Sequence, residues 1–313
     1  MKPTDTVFVA GHNGLLGTSL VKLLKNKNYT NIITKSSKEL DLRNLKDVDH
    51  FFKNNNIDVV ILAAAKVGNI NENLENPVEF LSDNIKIELN VINSAFKHDV
   101  KNLLFVSSSC LYPQNAKQPL KEESIFSGPL ENKNEAYGLA KLVGLKLCQY
   151  YNKEYGMNYI TVIPTNLYGE NDKFDPEYSH VITGVMSRMY DSKINHDDNV
   201  TIWGSGNVYR EFIHVDDAAD GIIFILENKN TFDIINIGTG IDLTIKELVK
   251  NIKNIVGFEG ELIFDTSKPD GIYKRQLNTE KINSLGWKPK IPLEEGLNRT
   301  FNGFLEKRRI NYD

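Results

Sequence analysis

An α/β protein, with a doubly wound parallel sheet and a smaller interleaved α/β lobe, is what this sequence predicts. Three observations carry that reading. Short apolar runs alternate with segments of helical period through the first half of the chain. The runs are apolar at nearly every position, not at every second one. A glycine-rich turn stands at the first run-to-helix junction. Strands apolar throughout are buried on both faces, and helical crossovers between them make a parallel sheet covered by helices.

The elements follow in order. Residues 6–10 form the first run, which stops at Gly11; Leu16, Leu20 and Leu24, with Leu23 alongside, then recur at helical spacing. Residues 31–34 read as a short second strand and 59–65 as a third. A fourth, 103–106, runs into Ser107-Ser108-Ser109, and a fifth, 159–163, ends at Pro164. Helices are expected over 78–97 and 135–155. Beyond about residue 168 the pattern loosens, with Gly169, Asn171, Asp172, Pro176, Gly204 and Gly206 as loop formers. Strand-like pieces at 200–203, 234–237 and 261–264 alternate with helices at 214–227 and 243–257. No composition shift marks a linker. Residues 1–168, with a returning strand near 210–240, are expected to form a Rossmann-type nucleotide-binding domain, and 169–313 mainly a substrate lobe. Lys307-Arg308-Arg309 reads as a solvated helix end.

Composition narrows the function classes. In 313 residues, 41% are hydrophobic and 25% charged, an ordinary globular balance. Lys and Arg total 37 against 41 Asp and Glu, so the basic excess of a phosphate-gripping nucleic-acid binder is missing. The longest apolar run, 59–65, is far short of the roughly 18 residues of a membrane span. The first residues lack the apolar core of a signal peptide. A cytoplasmic protein with neither nucleic acid nor membrane as partner is expected. Two cysteines, Cys110 and Cys148, make no disulfide framework, and the six histidines lack metal-ligand spacing.

The glycine turn reads Gly11-His12-Asn13-Gly14-Leu15-Leu16-Gly17. Glycines there allow a tight turn and a close backbone approach to phosphate, and the helix that follows offers free N–H groups to a pyrophosphate. A dinucleotide site is predicted. At the end of the second strand an NAD site usually has an acidic residue, whereas this chain has Lys35-Ser36-Ser37. A cation and two hydroxyls favour a 2′-phosphate, hence NADP(H); an ordinary surface lysine is the alternative. Asp41 and Leu42 are placed beside the adenine.

Tyr137 and Lys141 are four apart on the helix predicted over 135–155, so they share a face. A nearby ammonium favours phenolate and is expected to lower the tyrosine pKa, letting Tyr137 hand a proton to a carbonyl oxygen. Ser108, at a strand end, would hydrogen-bond the same oxygen. The order of glycine turn, strand-end serine and Tyr-x-x-x-Lys resembles the extended short-chain dehydrogenase/reductase family, whose members mostly act on nucleotide sugars.

Two further residues suggest carbon acid chemistry. Cys110, two positions after Ser108, would take a proton from a carbon beside a carbonyl, with oxyanion donors already at hand. His180, in the polar loop 176–181, would protonate the opposite face. Packing and ordinary loop polarity are the alternatives for each taken alone.

Several segments narrow the resemblance to the GDP-L-fucose synthase family. They are Ala64-Ala65-Lys66-Val67-Gly68, Ser108-Ser109-Cys110-Leu111-Tyr112-Pro113, Pro164-Thr165-Asn166-Leu167-Tyr168-Gly169, Trp203-Gly204-Ser205-Gly206, residues 210–217 and residues 267–271. That resemblance implies C3 and C5 epimerisation of a GDP-4-keto-6-deoxy sugar by Cys110 and His180. It implies C4 reduction with NADPH by Ser108, Tyr137 and Lys141. The cofactor would touch residues 11–17, Ala64, Val106, Ser107, Ser108, Ser109, Pro164, Thr165, Asn166, Leu167 and His180. Arg188, Trp203, Arg210 and Asp270 match positions near the GDP-sugar, and two guanidiniums suit a diphosphate. For Trp203 a place in the lobe core is an equal expectation. Asn13 and Lys35 stand where that family commonly has arginines. The resemblance also implies a homodimer built on the helix carrying Tyr137 and the long helix before it. A relative that only reduces C4 of another GDP-4-keto sugar, such as a 6-deoxy-heptose, is the second reading.

Overall fold

Val7–Ala10 pairs in parallel with two later apolar runs, and the rest of the main sheet grows outward from it. The computed structural model describes residues 1–68, 70–176, 179–228, 232–268 and 270–310. Glu177 and Tyr178 of the loop 176–181, and Pro269 of the segment 267–271, lie outside the described residues.

The first half runs β1 (Val7–Ala10), α1 (Leu15–Asn26), β2 (Ile32–Ile33), α2 (Leu45–Lys53), β3 (Val59–Leu62), α3 (Ile70–Glu75), α4 (Pro77–Lys97), β4 (Asn102–Val106), α5 (Glu135–Tyr155), β5 (Asn158–Pro164) and β6 (Asn166–Tyr168). There follow α6 (Val181–Asn195), β7 (Asn199–Trp203), β8 (Tyr209–His214), α7 (Val215–Glu227), β9 (Ile234–Ile237), β10 (Asp242–Thr244) and α8 (Ile245–Val256). The last elements are β11 (Glu261–Asp265), β12 (Lys274–Arg275), α9 (Glu280–Ser284) and α10 (Leu293–Ile310).

The six-stranded sheet has the order β2-β1-β3-β4-β5-β9, parallel throughout. One face packs Val7, Val9, Val59 and Ile61 against Leu20 and Leu24 of α1 and Ala218 and Ile222 of α7. The other packs Phe8, Val60, Leu62 and Phe105 against Val48, Phe52 and Val91 of α2 and α4, with Cys148 of α5. Both faces are covered, which is the Rossmann-type arrangement expected from the apolar runs. β3 ends at Leu62, short of Ala65. Its neighbour β1 ends at Ala10, the N–H of Ala63 makes the last bond to Ala10, and Gly11 then turns away. The sheet's strand order reverses at β1, so the carboxyl ends of β1 and β3 border a crevice, the usual ligand position in open α/β sheets.

The second lobe holds a small sheet, β10-β8-β12 with β6 also on β8, and a parallel pair β7–β11. A separate core of Ile182, Met186, Ile202, Leu248, Ile252 and Phe258 lies beneath them. The basic end of α10 is not merely solvated. Lys307 Nζ donates to the Asp172 carbonyl at 3.0 Å, and Arg308 pairs with Asp191 at 2.6 Å. Opposite charges on neighbouring elements fasten it down. Among the described residues no helix is long and apolar enough to cross a membrane.

Candidate active site

The glycine turn is built by contacts that exclude side chains. Gly11 has φ +91°, and a Cβ on it would stand 2.6 Å from the Ala64 nitrogen; one on Gly17 would stand 2.1 Å from the Gly11 carbonyl. These three backbones therefore touch directly, which brings Ala64 against the turn. Gly14 caps α1 with no side-chain hydrogen bond and no acidic residue in the first turn. The helix N-terminus keeps free donors and its positive end, a fit for a pyrophosphate.

At the end of β2, Lys35 pairs with Glu39 at 3.4 Å, and Glu39 also accepts from the Ser36 N–H and hydroxyl at 2.9 and 2.7 Å. Those Ser36 bonds, with help from Lys35, hold the exposed Glu39 carboxyl down at about 2. Sequence reading did not weigh Glu39. Asp41 is likewise engaged, by Arg43, which also reaches Asp83; each pair spans 2.9 Å. Ser107 is buried, and its hydroxyl has no hydrogen-bond partner among the described residues. Thr165 and Asn166, just past β5, both donate to the Glu211 carbonyl, at 3.0 and 2.7 Å.

The tyrosine, lysine, serine and cysteine do come together. Ser108 caps the short 3-10 turn Ser109–Leu111 and accepts from the Cys110 N–H at 3.3 Å. Tyr137, partly buried on α5, shares a hydrogen bond with Ser108. Lys141 Nζ lies 5.6 Å from the Tyr137 ring centroid and donates to the Val106 carbonyl at 3.3 Å. Its main partner was not foreseen. Glu88 of α4 stands 3.1 Å from Nζ, and both side chains are only 1% exposed. Burial pushes the Glu88 carboxyl up, against the pull of the Lys141 ammonium. The expectation of a lowered phenol pKa is corrected. Burial first, then Cys110 and Glu88, push Tyr137 above the usual tyrosine range, because the lysine charge is largely answered by Glu88. A sequence signal existed: Glu88 occupies a core position of the α4 stripe Phe80, Asn84, Glu88, Val91, Ala95.

Arg275 of β12 also reaches Cys110. Its Nη1 donates to Sγ at 3.6 Å and its Nη2 to Glu131 at 3.2 Å. Arg210 donates to the Tyr209 and Ile272 carbonyls, each at 2.7 Å; burial, helped by Arg275, pushes its guanidinium down to about 10. Asp270 accepts from the Ser205 N–H at 2.9 Å. Arg188 donates to the Pro176 carbonyl at 2.7 Å, while its buried Nε has no partner among the described residues. Trp203 is not a core residue: it points outward on β7, 51% exposed, with Lys268 over its ring at 5.7 Å. His180 is exposed at the cap of α6, near the Asp172 carboxyl. Among the described residues no hydrogen bond or ion pair joins it to Cys110, Tyr137 or Lys141.

The sequence pattern of the NAD dependent epimerase/dehydratase family matches residues 7–238. The chain is 46% identical over 306 residues to a putative GDP-L-fucose synthase 2 of Arabidopsis thaliana, covering 98% of this chain and 93% of the relative. It is 42% identical over 311 residues to the GDP-L-fucose synthase of Escherichia coli, covering 96% and 97%. Among solved structures it resembles MlghC, a GDP-mannoheptose C4 reductase from Campylobacter jejuni with NADP bound. The TM-score is 0.89 at 36% identity, over 97% of this chain and 99% of that one.

Proposed function

The chain belongs to the NAD dependent epimerase/dehydratase family, and we propose that it converts a GDP-4-keto-6-deoxy sugar by C3 and C5 epimerisation and NADPH-dependent C4 reduction, as GDP-L-fucose synthases do. One observation carries this reading. Cys110 is bonded through its own N–H to Ser108, which is in turn bonded to Tyr137. A carbonyl oxygen held by that serine and tyrosine would have a thiol beside it, so a single oxyanion site serves enolate and alkoxide alike.

NADPH, when bound, supplies the hydride that reduces C4. Residues 11–17, Ala64, Val106, Ser107, Ser109 and 164–167 would hold it, with His180 at its edge and Lys35, Asp41 and Leu42 toward the adenosine. Tyr137 gives its proton to the C4 oxygen, Ser108 orients that oxygen, and Lys141 offsets the phenolate left behind. Cys110 takes the proton from the carbon beside the ketone, and His180 protonates the other face. Arg188 and Arg210 grip the diphosphate with Trp203 and Asp270 alongside. Residues 1–168 with β9 form the NADP-binding domain, and 169–313 mainly the GDP-sugar lobe. The partner is a second copy of the chain, paired through α5 and α4 in the cytoplasm; the exposure of the apolar Leu139, Val143 and Tyr150 on α5 supports that pairing. Sedimentation as a monomer at micromolar concentration would refute that pairing.

A reductase acting on another GDP-4-keto sugar, without epimerisation, is the second reading. It is favoured by the likeness to the mannoheptose C4 reductase. Incubation with each GDP-4-keto sugar and NADPH in D₂O separates the two. Deuterium at C3 and C5 of the product supports the first; C4 reduction without deuterium removes it.

A further inference from the structure

A base must be unprotonated when its substrate arrives, so the sulfur of Cys110 has to carry negative charge to take a carbon-bound proton. The groups facing it come from three elements and one loop. Tyr137 reaches it from α5, Arg210 from β8 and Arg275 from β12, while Glu131, preceding α5, stands behind Arg275. Arg210 spends Nη1 on two carbonyls. Arg275 is the cation that donates to Sγ among the described residues, and at 8% exposure it does so away from bulk water.

We propose that Arg275 is a positioning residue for Cys110, one that holds the sulfur as thiolate through the Nη1–Sγ bond while Glu131 fixes the guanidinium from its other nitrogen. The inference deepens the epimerase reading and rests on it. In the step it serves, the C–H bond breaks and its electron pair passes into the enolate, whose oxygen is held by Ser108 and Tyr137. An S–H bond forms and the charge leaves sulfur. Arg275 thus binds the state before proton transfer more strongly than the state after it. That keeps the thiolate available at neutral pH and favours return of the sulfur to it. The segment 274–275 offers no pattern of its own, and 165 residues separate the pair in sequence.

The full-length protein alkylated by iodoacetamide tests this directly, with the modified residue located by peptide mass. Cys148 is 1% exposed, so the native reaction reports Cys110. Arg275→Met should slow alkylation at pH 7 by about tenfold, and the deficit should narrow as the pH is raised. Arg275→Lys should restore most of the rate. Arg275→Gln gives the same reading should the methionine variant fail to fold. An unchanged rate, or a deficit equal at every pH, overturns the proposal; a rise in KM for the GDP-sugar with alkylation unaltered would assign Arg275 to substrate alone. Cys110→Ser in D₂O tests the parent reading separately: if deuterium still enters C3 and C5, Cys110 is not the base, whatever alkylation shows.

Discussion

The main sheet and the second lobe are held by different means. Around β1, β3 and β4 the interior is almost wholly apolar, and its residues repeat one rule, burial on both faces. Where the second lobe meets that sheet, the fastenings are buried polar groups. Glu211 accepts from the N–H groups of Gly240 and Leu277 at 2.8 and 2.7 Å. Asn236 accepts from the Tyr112 hydroxyl at 2.7 Å and donates to the Leu120 and Asn278 carbonyls. Apolar packing tolerates many sequences and gives a rigid floor, whereas each polar fastening fixes one loop in one place and fails if a partner is lost. The site spans both regimes: the glycine turn, Ser108 and Tyr137 stand on the floor, while Arg210 and Arg275 are delivered by strands β8 and β12 of the fastened half.

Substitutions sharpen that contrast. Tyr137→Phe removes a hydroxyl from the floor without touching its packing, so NADPH consumption with a GDP-4-keto sugar should fall about 10³-fold while the melting temperature holds. A parallel loss of folding would break the contrast. Glu88→Leu tests the buried ion pair with Lys141 inside the apolar half. It strands the Lys141 ammonium, and denaturant unfolding should report a loss of about 3–5 kcal/mol.

Glu211 gives a pH signature to the fastened half. Burial raises its carboxyl to about 7, despite the backbone N–H groups that favour the anion. A raised folded-state value means its contribution is fully present below the unfolded value, near 4.5, and is lost as pH climbs through 7. In Glu211→Gln, chemical unfolding between pH 5 and 7.5 should lose this slope, at most about 1.4 kcal/mol per pH unit. A slope that persists would place the titration elsewhere. The smallest effect is expected at the exposed Lys35: Lys35→Ala should raise the KM for NADPH by only a few-fold, since Glu39 already offsets its charge. No change in the ratio of NADPH to NADH efficiency would remove Lys35 from cofactor choice.

The same contrast explains what was legible in the sequence. β1, β3, β4 and β5 announce themselves because both faces are buried and nearly every residue is apolar. β6, β10 and β12 do not: they are two or three residues long, and β8 mixes charged with apolar positions, all of them paired with residues far away in the chain. In the site, the glycine turn, Tyr137 and Lys141 could be read because their spacing is local. Arg275 and Glu131 could not, since nothing but the folded topology sets them beside Cys110. Glu88 is the intermediate case. Its helical stripe was visible, and a carboxylate inside such a stripe asks for a buried cation that sequence alone does not locate.

The bond from Lys307 to the Asp172 carbonyl reaches beyond stability. It ties the final turn of the last helix to Asp172, upstream of His180, so that helix would tether the loop of the proposed acid. Trimming the chain back past residue 306 should leave ketone reduction close to normal and yet slow isotope uptake from water, a dissection of the two chemistries made without altering any residue in the cleft.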